Sequence, residues 1–405
     1  MRLTPIPRDT ASVFAISALS LPIVAVAAPL GVAPLAGATA LLVALAQFRE
    51  RSLGRIDRTA LITIALFSLW SAVSALWSLD PARSLSTTLR VTVICFGGIV
   101  LITAATNLDA RQRARVARAL KIGALTGAAI AALILAYGIF IQVGVDRLFE
   151  VNSMTQVLKQ FNRTGSIVAV AAWLLAAIPD LRRHSLIGIV VVVTAALLLF
   201  EPEVPLIAFA TGGLIYLIAL WRPRRIPAFL STCLVVFLLT LPVLPQFALQ
   251  LDSALTAQGL NANSVSHRLG IWSFSIGRAL DRPFTGWGMG ASREVPGASA
   301  NLSIQGEPGI DAPSIPLHPH NAAVQLWLEL GLPGLFLAAF LVLRGLLRTP
   351  RAVDGRRALA VRLAVATGLL AIGNLSYGIW QGWWLCFIWL SIALTLALTT
   401  RPAPD

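Results

Sequence analysis

The sequence predicts an all-α, polytopic integral membrane protein with about twelve transmembrane helices. Of its 405 residues, 57% are hydrophobic and only 12% are charged, and the mean hydropathy is +0.79. Soluble globular domains contain about 25% charged residues, so this composition argues against that class. Apolar windows suited to a hydrocarbon core of about 30 Å recur along the chain. The twelve windows are residues 12–28, 32–47, 59–77, 90–106, 119–141, 164–178, 185–200, 204–221, 227–245, 333–347, 358–376 and 379–399.

The positions of the basic residues predict the orientation of these helices. Only nine of the 32 Lys and Arg residues fall in the connections after odd-numbered windows, and the others lie on the opposite side. Because Lys and Arg concentrate in cytoplasmic loops, both termini are predicted to be cytoplasmic. The net charge of +14 is then explained by the topology of the helices and by attraction to inner-membrane lipids. No basic stretch carries interleaved aromatic residues, so no nucleic-acid partner is expected.

The first window offers a second interpretation. It contains Ala25-Val26-Ala27, which resembles the cleavage site of a secretory signal. Cleavage there would leave an odd number of helices and would break the charge pattern, so we expect the segment to be retained. The three cysteines lie in apolar windows without metal-ligand spacing and are predicted to be small buried residues: Cys95, Cys233 and Cys386.

The chain divides into three predicted regions. Residues 1–245 carry helices one to nine, residues 246–320 form a long loop on the outer side, and residues 321–405 carry a re-entry helix and helices ten to twelve. Long connections of this kind are usually functional. Within the loop, residues 266–280 are typical of a short amphipathic helix, with Leu269, Trp272 and Ile276 on its apolar face. The glycine-rich turn at residues 286–290 suits an approach of backbone N–H groups to a phosphate.

Polar residues concentrate just after this loop. Asn321, Gln325 and Glu329 recur at i, i+4 and i+8 and therefore share one face of a helix that Gly331 ends. The alternative is an amphipathic helix whose polar face only meets water. Elsewhere on the outer side, Arg163 lies at the start of the sixth window, and Glu201 and Glu203 form an acidic turn without a neighbouring cation.

Five motifs together resemble the O-antigen ligase and polymerase family. They are H-x-H-N-(x)7-E-x-G-x-x-G from His318, R-(x)3-W from Arg268, P-(x)2-G-x-G-x-G from Pro283, W-S-x-D-P from Trp77 and G-x-W-Q-G-W-W from Gly378. The resemblance implies a metal-independent inverting glycosyltransferase of the bacterial inner membrane that needs no cofactor and acts at the periplasmic face. Its donor is a polyprenyl-diphosphate-linked glycan. A ligase transfers the glycan to a sugar hydroxyl of lipid A-core, the acceptor in lipopolysaccharide biosynthesis, and a polymerase transfers it to another lipid-linked glycan.

The residues agree with that chemistry, which needs a base for the attacking hydroxyl and cations for the leaving diphosphate. His320, matched to the H-N position of the motif, is the predicted general base. Arg268 is the predicted diphosphate ligand because a guanidinium binds phosphate oxygens in a forked geometry. The secondary candidates are Arg163 and Arg278 for the diphosphate, and His318, Asn321, Glu329 and Glu203 for orienting the base or binding the acceptor.

Three alternatives remain at this stage. The acidic turn at Glu201 and Glu203 lies where many members of the resembled family carry a Ser-x-Ser-Arg pattern. The arginine of that pattern is absent here, so a polymerase of the same family remains an alternative to a ligase. A metal site from His267, His318 and His320 is disfavoured by loose spacing and the lack of nearby cysteines, so no metal is expected. A lipid-linked glycan transporter predicts ionisable residues at mid-membrane depth and related halves, and neither feature is visible.

Overall fold

The computed structural model describes residues 9–51, 54–144, 151–199, 203–247, 250–251, 263–300, 313–349, 353 and 355–401. This part of the chain folds into α-helices, and an isolated β-bridge joins Val353 to Thr400. The helices are α1 (Thr10–Ala27), α2 (Val32–Glu50), α3 (Arg58–Val73), α4 (Pro81–Thr106), α5 (Ala110–Gly144), α6 (Val151–Leu175), α7 (Arg183–Leu199), α8 (Glu203–Trp221), α9 (Ile226–Thr240), α10 (Asn263–Asp281), α11 (Ala322–Arg348), α12 (Gly355–Leu375) and α13 (Gly382–Thr399).

Every predicted apolar window falls on one of these helices. Ten helical segments of the described chain are long and apolar enough to cross a membrane, and α7 is a shorter apolar helix. The protein is therefore an all-α polytopic membrane protein, as the composition predicts. The amphipathic segment of the long loop is also a helix, α10, and Leu269 and Ile276 on its apolar face are buried.

Polar capping residues set several helix starts outside the apolar windows. Helix α4 begins at Pro81, nine residues before the window at 90–106, because Asp80 caps its first turn by accepting from the Arg83 N–H at 2.9 Å. Proline suits the first helical position because its missing N–H would have no helical partner. The first turns of α4 are polar, and a hydropathy window therefore misses them.

Small residues allow the helices to approach closely. A methyl group on Gly123 of α5 would lie 2.2 Å from the backbone oxygen of Leu19 in α1, and Gly127 meets Pro22 in the same way. Helix α8 packs against α6 and α12, whereas α4 packs against α2, α3 and α13. Small residues at helix interfaces are typical of membrane proteins, in which close van der Waals packing drives association.

The two ends of the bundle differ in what they hold. We call the end at which α10 and the start of α11 lie the site end. At the opposite end, the Asp57 carboxylate before α3 binds Arg344 at 2.7 Å and Arg348 at 2.8 Å in the last turns of α11. Among the cysteines, Cys386 is buried as predicted, but Cys95 is only half-buried and Cys233 is exposed on α9, so the prediction is wrong for these two.

Candidate active site

Helix α11 is broken near its start at Gly331, which has φ 65° and ψ −171°. Pro333 has no N–H, so the carbonyl of Glu329 lacks its usual helical partner. The N–H of Leu332 turns away from the helix and donates to the carbonyl of Pro283 at 2.8 Å. The predicted end of the first helical segment at Gly331 is therefore confirmed, and a second segment continues directly from it.

The loop that precedes the site and Trp70 of α3 supply hydrogen bonds that the broken helix lacks. The carbonyls of residues 328–330 accept from the Trp287 N–H at 3.0 Å, the Gly288 N–H at 2.9 Å and the Trp70 indole N–H at 2.7 Å. A methyl group on Gly286 would lie 2.4 Å from the Glu329 backbone, so only glycine permits this approach. The glycine-rich turn thus docks on α11.

The phosphate-binding hypothesis for this turn is wrong. The N–H of Met289 donates to the Ser74 hydroxyl at 3.1 Å, and the N–H of Gly290 donates to the Glu329 carboxylate. Together with Trp287 and Gly288, four successive N–H groups have partners within the protein. They are unavailable to an anion, and the turn's function is to position α11.

The Glu329 carboxylate is fully buried among hydrogen-bond donors. It accepts from the Ser292 hydroxyl, the Gln325 amide at 3.0 Å, the Trp380 indole N–H and the Gly290 N–H. A buried carboxylate is tolerated when its oxygens are satisfied in this way. The polar stripe of α11 therefore faces the protein interior, and the hypothesis of a water-facing stripe is wrong.

His318 is a nearly buried ring that joins three segments of the site. Its Nδ1 faces the His320 N–H at 3.1 Å, and its Nε2 faces the Gly378 N–H at 3.1 Å and the Gln381 amide at 3.2 Å. A neutral ring places one proton against these donors, whereas a charged ring would place two, so the surroundings disfavour the charged form. Burial lowers the pKa of His318 to about 3, and the nearby His320 adds to this effect, so the ring stays neutral.

His320 lies at the turn before α11 with φ 57°, a left-handed conformation that is uncommon for a non-glycine residue. Its Nδ1 lies 2.6 Å from the carbonyl oxygen of Ser376. A carbonyl only accepts, so Nδ1 carries the proton and the Nε2 of the neutral ring keeps its lone pair. Burial lowers the pKa of His320, and the charges of Arg268 and His267 lower it further, while the Ser376 contact opposes them.

Of the predicted cations, Arg268 is the one whose charge lowers the pKa of His320, after the larger effect of burial. Its guanidinium is 3.7 Å from the Glu203 carboxylate. Burial raises the pKa of Tyr377, the residue after Ser376, and the charge of Arg163 partly opposes this shift.

The secondary candidates differ in their positions and in their contacts. Arg278 lies ten residues beyond Arg268, about 15 Å along α10, and binds Asp281 of its own helix at 3.1 Å. Asn321 is buried and caps α11 by accepting from the Val324 N–H at 3.1 Å. Glu201 lies outside the described residues. Asn321 is thus engaged in holding the helix start.

Two residues that complete the site were missed from the sequence. Ser376 contributes only its backbone carbonyl, which no side-chain pattern reveals. Gln381 contributes the amide that faces His318 at 3.2 Å, and its presence within G-x-W-Q-G-W-W was the available signal. Within the described ranges, no group of three His, Cys, Asp or Glu side chains is placed to hold a metal ion.

These features define a multi-pass membrane protein with a neutral histidine pair and an arginine gathered at one end of its helix bundle. Residues 188–339, which include His318, His320 and Arg268, match the sequence model of the O-Antigen ligase family. The resemblance seen in the motifs is therefore confirmed over these residues.

Three relatives are similar over most of the chain. Each is named "Putative polysaccharide ligase". The protein of Rickettsia conorii is 26% identical over 82% of this chain and 78% of its own length. The proteins of Rickettsia prowazekii and Rickettsia bellii are 27% and 28% identical over 82% of this chain, and over 80% and 79% of their own lengths.

Proposed function

We propose that this protein is an O-antigen ligase-like inverting glycosyltransferase. It transfers a glycan from a polyprenyl-diphosphate donor to a sugar hydroxyl of lipid A-core at the periplasmic face of the inner membrane. The observation that carries the proposal is the 2.6 Å contact of His320 Nδ1 with the Ser376 carbonyl. It leaves the Nε2 lone pair as a base beside the cation Arg268.

In this mechanism His320 acts as the general base and no metal takes part. The acceptor oxygen attacks the anomeric carbon, its proton passes to His320 Nε2, and the bond from that carbon to the diphosphate oxygen breaks with its electron pair. Arg268 stabilises the charge that develops on the diphosphate. Attack opposite the leaving group inverts the configuration at the anomeric carbon.

The ion pair of Arg268 with Glu203 is compatible with this role. The Arg268 side chain is 28% exposed, the Glu203 side chain is 63% exposed, and their closest atoms are 3.7 Å apart. Exposed pairs of this kind contribute about 0–1 kcal/mol. A diphosphate carries more charge than one carboxylate, so it can displace Glu203, and the released carboxylate is then free to bind acceptor hydroxyl groups.

The test is complementation of a deletion strain with wild type, His320→Ala or His184→Ala, each at the same membrane level. His184 is an exposed histidine at the start of α7 and is the matched control. We expect the deletion to leave long glycan on the polyprenyl carrier. Wild type and His184→Ala should restore transfer of this glycan, whereas His320→Ala should not restore it. Loss of a general base typically lowers a rate by about 10²–10⁴-fold.

Other results would contradict the proposal in distinct ways. Accumulation of single repeat units with collapse of chain length identifies a polymerase of the same family. Full transfer by His320→Ala rejects the general base. Donor glycan trapped on the cytoplasmic side of the membrane in the deletion strain identifies a lipid-linked glycan transporter.

A further inference from the structure

Arg90 is a second cation at the site end that the mechanism above does not use. It lies on α4 beside the start of α13, where its Cδ is 3.9 Å from the position of a methyl group on Gly382. One guanidinium nitrogen donates to the carbonyl of Trp380 in a long hydrogen bond of 3.4 Å. A guanidinium has five N–H donors, so this single contact leaves most of its binding capacity unused.

The surroundings of Arg90 are apolar and open. Its neighbours on α4, Leu85, Leu89 and Val93, are 54%, 67% and 63% exposed, as expected for a face in contact with lipid. Among the described residues Arg90 has no carboxylate within 4 Å, whereas Arg83 on the same helix binds both Asp80 and Glu294. An arginine on a lipid-facing surface requires an anionic partner or water.

Arg90 is connected to the histidines through the segment between α12 and α13. Its partner Trp380 donates to the buried Glu329, and the next residue, Gln381, faces His318. Arg268 approaches from elsewhere, since its partner Glu203 begins α8, which packs against α6 and α12. The two arginines therefore lie on different helices, Arg90 on α4 and Arg268 on α10, and their contact partners belong to different parts of the bundle.

We propose that Arg90 binds a phosphate group on the headgroup of the acceptor lipid, which reaches the site along the junction of α4 and α13. The proposal rests on the proposed function, in which two lipid substrates meet at His320. In-line displacement places the acceptor and the leaving diphosphate on opposite sides of the anomeric carbon. With Arg268 binding the donor diphosphate, the arginine on the other helix group serves the acceptor, and the acceptor is a phosphorylated glycolipid.

The test measures steady-state transfer in proteoliposomes of zwitterionic lipid with two acceptors. One acceptor is lipid A-core, and the other is the same lipid freed of its phosphates by a phosphatase. The enzymes are wild type, Arg90→Gln, Arg90→Lys and Arg118→Gln, where Arg118 is an exposed arginine of α5 outside the site. We expect Arg90→Gln to raise the acceptor KM about tenfold, as for loss of one charge-assisted contact.

The remaining variants and the second acceptor test whether the change in KM depends on the charge of Arg90 and on the acceptor phosphate. Arg90→Lys should recover part of the lost affinity, and Arg118→Gln should match wild type. The donor KM should stay unchanged in Arg90→Gln. With the phosphate-free acceptor, wild type and Arg90→Gln should have the same KM.

Three results would overturn the proposal. A rise in donor KM with no change in acceptor KM makes Arg90 part of the donor site. An equal rise for both acceptors, or no rise for either, makes Arg90 an interfacial anchor for ordinary phospholipids. His320→Ala serves as a separate control in the same assay, since its full activity would reject the general base while leaving the Arg90 comparison intact.

Discussion

At the scale of single residues, the protonation of His320 decides whether the site can act as a base. Burial lowers the pKa of His320 below its ordinary value near 6.5, and the charge of Arg268 lowers it further. A general base works in its neutral form, so under the proposed mechanism activity should persist below pH 6.5 and fall as the pH drops through this lowered pKa.

Replacement of Arg268 should therefore move the acid limb of the pH profile. Arg268→Gln removes a positive charge that disfavours the imidazolium, so the pKa of His320 rises and the limb of kcat/KM shifts to higher pH. The measurement is kcat/KM from pH 4.5 to 8 for wild type and Arg268→Gln. A general loss of rate from weaker donor binding is expected as well, but a limb that stays in place would show that Arg268 does not act on His320.

The sequence makes His320 and Arg268 the main candidates because their side chains define the motifs. It could not reveal that Ser376 fixes the tautomer of His320, because a backbone carbonyl leaves no trace in residue type. Glu329 shows the same limit. Its position on a polar stripe was predictable from spacing, but its burial depends on Gly290 and Ser292, which the fold brings from about forty residues away.

At the scale of elements, the connection between α12 and α13 holds the histidines in place. Ser376, Gly378 and Gln381 contribute a carbonyl, an N–H and an amide to the histidine pair within six residues. A methyl group on Gly378 would lie 2.8 Å from the His318 ring. The glycine therefore permits the close approach of this connection to His318.

Gly378→Ala should damage activity far more than it damages the fold. The new methyl group displaces the His318 ring, and His320 moves with it because its N–H faces His318 Nδ1. The control is Gly277→Ala on α10, where nothing lies within 4 Å of the added methyl group and alanine favours the helix by about 1 kcal/mol. Transfer rate and Tm are measured for both variants in detergent. Equal loss of rate in the two variants, or a collapse of Tm in Gly378→Ala alone, would contradict a role in positioning.

The helices themselves were predictable because each apolar window is long and polar residues bound it. The break in α11 was also predictable from Gly331 and Pro333. The docking of the turn at residues 283–290 over that break was not, because it depends on which carbonyls the break leaves without partners. The four N–H groups that the sequence suggested for binding a phosphate instead donate hydrogen bonds within the protein.

At the scale of the whole molecule, the sidedness of the bundle determines which substrates reach the site. The site end carries the smaller share of Lys and Arg, nine of 32 by the predicted topology. Each basic residue near an anionic inner leaflet contributes about 1 kcal/mol, so the opposite end is strongly favoured to face the cytoplasm. In this proposed orientation the site faces the periplasm, where the proposed donor and acceptor lipids can meet.

Cysteine labelling tests this orientation directly. In a background with Cys95, Cys233 and Cys386 replaced by alanine, single cysteines are placed at Ser299 near the site and at Arg356 at the start of α12, both exposed. A membrane-impermeant maleimide should label Ser299→Cys in intact spheroplasts and Arg356→Cys only after lysis. The opposite pattern would place His320 in the cytoplasm, beside donors that have not yet crossed the membrane, and a periplasmic transferase would then be impossible whatever the geometry of its histidine.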